Sequence, residues 1–252
     1  MMKFWAAWQF LTIFPGPKPR AKELSRSSGY FPLVGLALGL ILAGLDWGLG
    51  EVLPALVVNV LLVGALLLLT RGIHLDGFLD TCDGLGHPGP PEERLRVMSD
   101  SRVGAFGVIG GCVLILLKYA SLFLLVGNLR LPGLILMPVV SRWAMTWAVF
   151  AFPPAKREGM GWAFKQGTRT GELALATFFA LAGSLALVGL RGIIMLGLVL
   201  LATSALAWLL CRSFGGQTGD TYGALNEFME VFFLLTFPFV GGLKLALGPS
   251  IF

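Results

Sequence analysis

Residues 74–84 read HLDGFLDTCDG and follow directly on an apolar run, in a chain that is otherwise poor in charge. Asp76, Asp80 and Asp83 fall at i, i+4 and i+7. On a helix, at about 100° per residue, all three lie within roughly 60° of arc. Such a stripe repels itself unless a cation sits among the carboxylates. Carboxylate oxygens suit a hard divalent ion such as Mg²⁺. Acids beside a membrane segment are costly to keep and usually functional. The stripe therefore reads as an enzyme site for phosphates at a membrane surface. Gly77 and Gly84 leave room for a diphosphate to approach the backbone. His74 could orient a carboxylate, act as a base, or make a structural hydrogen bond.

Three further blocks carry polar chemistry. In residues 98–107, MSDSRVGAFG, either Asp100 or Ser101 would cap the next membrane helix. In the functional reading Asp100 is a metal or base carboxylate, Ser101 joins the phosphate contacts, and Arg102 clamps a phosphate. Arg102 could equally be a charged anchor. Residues 215–227, GGQTGDTYGALNE, read as a tight polar loop leading into the last span. Asp220, Asn226 and Glu227 there are nucleotide-binding candidates. Glu227 and Glu230 enter an apolar helix, which is unusual enough to suggest a role. Arg26, in residues 25–35, SRSSGYFPLVG, is a phosphate candidate or a membrane anchor.

The elements that position these residues are membrane helices. The 252 residues are 56% hydrophobic and 13% charged, against about 25% charged in soluble domains. Seven apolar runs reach spanning length: 31–50, 52–70, 107–127, 131–152, 173–190, 192–210 and 228–247. The expected fold is all-α, a polytopic bundle forming one domain over 1–252. Residues 4–14 are too few to span and predict a short helix in the interface or tucked into the bundle. Three scattered cysteines and two histidines support neither disulfides nor zinc. Gly35, Gly39, Gly110 and Gly111 read as helix-packing positions.

Of 19 Lys and Arg, 14 fall in the long connections, two in the short ones, and Lys118, Arg142 and Lys244 inside spans. Positive loops stay in the cytoplasm. This places the N-terminus and the chemical face inside, and the C-terminus outside, in the cytoplasmic membrane of a prokaryote. The excess of positive charge is thereby assigned to topology, and no nucleic-acid partner is expected.

Together the blocks at 30–35, 74–84, 100–107 and 218–227 resemble the cobalamin (5′-phosphate) synthase, or adenosylcobinamide-GDP ribazoletransferase, family. The motifs occur in that family's order over nearly the whole chain. Cys82, where small residues such as alanine are usual, departs from the pattern without touching the acids. The resemblance implies an Mg²⁺-dependent membrane transferase. It would join adenosylcobinamide-GDP to α-ribazole or its 5′-phosphate and release GMP. Asp76, Asp80 and Asp83 would hold the metal, Arg102 would offset charge on the leaving group, and Asp83 or Asp100 would accept a proton. A homo-oligomer is compatible with the sequence but not specified by it. Two other readings are weaker. A CDP-alcohol phosphotransferase would share the D-x-x-D-G core at 80–84, but its Ala-Arg pair is missing. A transporter would place its acids at the midplane of repeated halves, and no repeat is visible.

Overall fold

The computed structural model describes residues 1–240, and most of them lie in twelve α-helices. In chain order they are α1 (Met2–Leu11), α2 (Ala21–Ser25), α3 (Phe31–Gly50), α4 (Ala55–Leu69), α5 (Ile73–Gly86), α6 (Pro91–Val97), α7 (Ala105–Leu122), α8 (Arg130–Ala151), α9 (Gly159–Gly167), α10 (Thr170–Val188), α11 (Leu190–Phe214) and α12 (Gly219–Val240). Six helices are long and apolar enough to cross a membrane, and α4 with α5 makes a seventh candidate, broken by a 91° bend. The protein is an all-α, multi-pass membrane bundle. The last expected span, 228–247, runs past the described residues, and Lys244 lies outside them.

Large apolar side chains such as Leu56, Leu68, Ile109, Leu116, Phe178 and Leu201 are exposed on the outer helix faces. Lipid is the solvent that makes such exposure stable. Inside, α8 is the hub, packing on α3, α12, α10 and α11. Its closest partner is α3, and glycine is what allows it. A Cβ on Gly35 would run into the Pro138 carbonyl, and one on Gly39 would lie 2.7 Å from the Ile135 Cα. Where lipid and protein are equally apolar, such close backbone approach drives association. Gly39→Leu is expected to cost about 1–3 kcal/mol through overpacking, read as a lower midpoint of thermal unfolding in detergent.

Four ionic side chains meet in the bundle interior. Lys118 of α7 donates to Glu227 and, at 2.6 Å, to Glu230, both on α12. Arg142 of α8 donates to Glu230 at 2.9 Å, and Asn226 donates to the same oxygen at 3.1 Å. Two cations face two anions, all nearly inaccessible to solvent. Neutrality as a set is what makes charge tolerable there.

The N-terminal helix is packed, not free. Ala6, Ala7 and Leu11 are fully buried, and the segment after it is tied by Ile13 N–H to the Leu69 carbonyl at 2.8 Å. The sharp bend from α4 to α5 uses two left-handed residues, Arg71 (φ 56°) and Gly72 (φ 63°). Glycine adopts this freely; arginine does so at a cost. The Arg71 guanidinium holds the turn by donating to the carbonyls of Gln9 and Phe10 at 2.8 and 3.2 Å. This junction sets the direction of α5, and with it the acidic stripe.

Candidate functional site

α5 crosses the ends of α7 and α12 and packs on both. Its buried residues are His74, Gly77, Thr81 and Gly84, and the two glycines set how closely it packs. A Cβ on Gly77 would lie 2.7 Å from the Asp220 carbonyl oxygen, and one on Gly84 would lie 2.7 Å from the Met98 side chain. On α12, a Cβ on Gly223 would be 3.1 Å from the His74 backbone. Gly77 and Gly84 therefore serve helix contact, where the sequence suggested backbone access for a phosphate. The 215–227 block also differs from the expected loop. From Gly219 onward it is the first turns of α12, opened by mutual Thr218 and Thr221 caps at 2.8 and 3.2 Å.

These packings bring Asp220 to the stripe. Asp76 is exposed while Asp80 and Asp220 are half-buried. Asp80 lies within electrostatic reach of Asp76, Asp220 and Asp83, and Asp220 within reach of Asp76 and of the Lys156 ammonium. Asp83 faces elsewhere. Its two oxygens accept the N–H groups of Gly104 and Gly107, both at 2.7 Å. These are orphan donors at the start of α7, so Asp83 caps that helix from across the fold. From position along the chain Asp100 or Ser101 would be the cap. Asp83→Ala is expected to lower stability by about 1–2 kcal/mol, as loss of a cap does, measured by thermal unfolding. An unchanged midpoint with a raised Mg²⁺ requirement would return Asp83 to the metal-binding role.

Among the described residues no three His, Cys, Asp or Glu side chains are gathered closely enough to cage a metal. The donor chemistry still fits Mg²⁺. That ion commonly binds one or two carboxylates, keeps several waters and takes its other ligands from substrate phosphates. Asp76 and Asp80, one turn apart, offer such a half-site.

The other candidates are distributed. Asp100 and Arg102 form a solvent-facing pair at 2.9 Å. The guanidinium holds the Asp100 carboxyl down to about 2, which makes it a poor proton acceptor near neutrality. Arg102 remains 87% exposed, with Ser101 exposed beside it, and both Asp100 and Arg102 line an open groove of about 560 Å³ with Asp83 and His87. Arg26 is 3.0 Å from Glu172, which also binds Lys3, and does not join the stripe. Asn226 and Glu227 belong to the interior ionic cluster. His74 is buried, 4% exposed, and neither ring nitrogen meets a partner among the described residues. It stands within electrostatic reach of Arg142, Glu230 and Lys118.

By sequence the basic, glycine-containing connection 156–169 could draw in an anionic substrate or simply set orientation. Its Lys156 reaches Ser99 at 3.5 Å and lines a second groove, of about 280 Å³, with Trp162, Thr218 and Asp220. Sequence reasoning missed the pairing of Lys118 and Arg142 with Glu227 and Glu230, although mid-span charges of opposite sign are a usable signal.

A helical membrane bundle in which Asp80, on one broken helix, lies within electrostatic reach of Asp76, Asp83 and Asp220 defines a polytopic protein with an acidic site where that helix meets the starts of two others. Comparison with known families gives that class its particulars. The family model for cobalamin-5-phosphate synthase matches residues 3–238. The chain is 41% identical over 95% of its length to a protein named adenosylcobinamide-GDP ribazoletransferase from Geotalea daltonii, covering 98% of that protein. It is 42% identical to the protein of that name from Desulforamulus reducens, over 91% of this chain and 94% of the relative. No solved structure matches. The chain belongs to the cobalamin-5-phosphate synthase family, an enzyme family of the ribazoletransferase type.

Proposed function

We propose that this protein joins adenosylcobinamide-GDP to α-ribazole or its 5′-phosphate, forming adenosylcobalamin or its phosphate and releasing GMP. The observation that carries the reading is the set of facing carboxylates, Asp76 and Asp80 on α5 and Asp220 on α12, whose mutual repulsion asks for a cation. Asp76 and Asp80 would hold Mg²⁺, which when bound supplies charge neutralisation on the diphosphate. A ribose hydroxyl of the acceptor attacks the phosphorus on the corrinoid side. That P–O bond forms as the bridging P–O bond breaks, and the electron pair leaves on GMP. The hydroxyl proton passes to a carboxylate. Asp220 suits this better than Asp83, whose oxygens are engaged, or Asp100, held acidic by Arg102. Lys156 and Arg102 flank the carboxylates in the two adjoining grooves and would balance phosphate charge. Catalysis is then mainly positioning and charge stabilisation.

The long, basic connections would face the cytoplasm, with the N-terminus inside, where nucleotides are available. The test is direct. Purified protein in detergent or nanodiscs, given adenosylcobinamide-GDP, α-ribazole phosphate and Mg²⁺, is expected to release one GMP per corrinoid joined. Hydrolysis of the diphosphate without joining, or no turnover with Mg²⁺ present, would overturn the reading.

A further inference from the structure

Beside the carboxylates lies a third cavity, of about 160 Å³. Its inner wall is aromatic. The Phe10 and Phe164 rings are 4.9 Å apart, Phe31 and Phe164 5.4 Å, and Phe10 and Phe31 6.1 Å. Met145 of α8 completes this surface. Its other wall is different in kind, carrying Asp76, Asp220, His74 and Tyr222. Tyr222 is 3% exposed and His74 4%. The Tyr222 hydroxyl and both His74 ring nitrogens have no hydrogen-bond partner among the described residues.

Buried polar groups are rarely left unpaired, because each lost hydrogen bond costs stability. An apolar aromatic slot with two unspent polar groups at one edge is the usual form of a site for a flat, mostly apolar ring. The carboxylates fix which end of the ligand carries the sugar. The three substrate moieties differ sharply in fit. Guanine carries amino and carbonyl groups around most of its rim, and those turned to the aromatic wall would be left unpaired. A corrin is far larger than the space. The base of ribazole is a dimethylated benzimidazole, flat and apolar, with one free ring nitrogen.

Building on the ribazoletransferase reading, we propose that the cavity between Phe10, Phe31, Phe164, Met145 and Tyr222 is the subsite for the methylated heterocycle of the acceptor nucleoside. The aromatic rings hold its two methyl groups. His74 or Tyr222 bonds its free nitrogen. The ribose is left at the mouth, toward Asp76 and Asp220. The site selects against nucleosides with polar bases by leaving their amino and carbonyl groups unpaired.

The experiment uses the whole chain in nanodiscs and two readouts. The first is calorimetric binding of α-ribazole without corrinoid or metal; the second is the KM of each substrate in GMP release. Wild type is expected to bind α-ribazole at least about tenfold more tightly than the unmethylated benzimidazole riboside, and adenosine more weakly still. Met145→Trp, which fills the cavity, should raise the α-ribazole Kd and KM more than about tenfold and leave the adenosylcobinamide-GDP KM within about twofold. Tyr222→Phe removes one hydroxyl and keeps the ring, and serves if the larger replacement does not fold. Its expected effect is a rise of about three- to tenfold in the same two constants. Equal binding of α-ribazole and adenosine, or a Met145→Trp effect confined to the corrinoid KM, overturns the assignment. Wild-type GMP release with ribazole constants indifferent to both variants also removes the subsite and leaves the ribazoletransferase reading standing. Ribazole binding lost in Met145→Trp, with no GMP release by wild type, keeps the subsite and removes that reading.

Discussion

Asp80→Asn is expected to abolish GMP release, by about a hundredfold to a thousandfold, while the protein inserts and folds as before. Asp80 is the central member of the carboxylate group, with Asp76 and Asp83 on its own helix and Asp220 facing it from α12. The amide keeps the shape and loses the charge. Without a metal the native site holds like charges together at a cost, so the variant should melt no lower than wild type and could melt higher. That combination separates a chemical role from a structural one. It contrasts with Asp83→Ala, expected to lower stability because Asp83 closes the start of α7. Full GMP release by Asp80→Asn would remove the proposed metal site.

The second large effect concerns the interior. Lys118→Met leaves Glu227 and Glu230 facing one cation, Arg142, where two stood before. Breaking a buried ionic set from one side typically costs about 3–5 kcal/mol, because the remaining charge stays desolvated. Loss of folded protein in detergent, followed by size exclusion and thermal unfolding, is the expected result. Lys118→Met with Glu227→Gln restores the balance of Arg142 against Glu230. The double variant should therefore be more stable than Lys118→Met alone, a coupling that a double-mutant cycle measures directly. Additive losses would show that the four groups do not act as a unit. The cluster also bears on the site, since Glu230 and Asn226 sit on the same helix as Asp220, and His74 lines the cavity within electrostatic reach of the cluster.

The stripe at 76–83 was legible because helical period is local: spacings of four and seven residues put side chains on one face whatever surrounds them. The spans were legible for the same reason, since lipid demands a long apolar run. The glycines of α3 were legible as packing positions, and Gly35 and Gly39 indeed meet α8. The start of α12 was not. Glycine and threonine at 219–223 have poor helix propensity, and they are helical where they pack closely on α5. Spacing puts Asp83 on one face with Asp76 and Asp80, and nothing local shows that two amides more than twenty residues away take its oxygens.

By itself the amino-acid sequence determined that this is a helical membrane protein, which family its motifs resemble, and where three carboxylates share a helix face. Those properties depend on composition, order and period along the chain. Only the tertiary structure decided which acids keep company. It set Asp220 against Asp76 and Asp80, turned Asp83 to a helix end, joined Lys118 to Glu227 across 109 residues, and walled an apolar cavity with rings from α1, α3 and α9. The reason is physical: hydrogen bonds and ion pairs act over a few ångströms, and in a bundle those neighbours come from helices that the sequence keeps far apart.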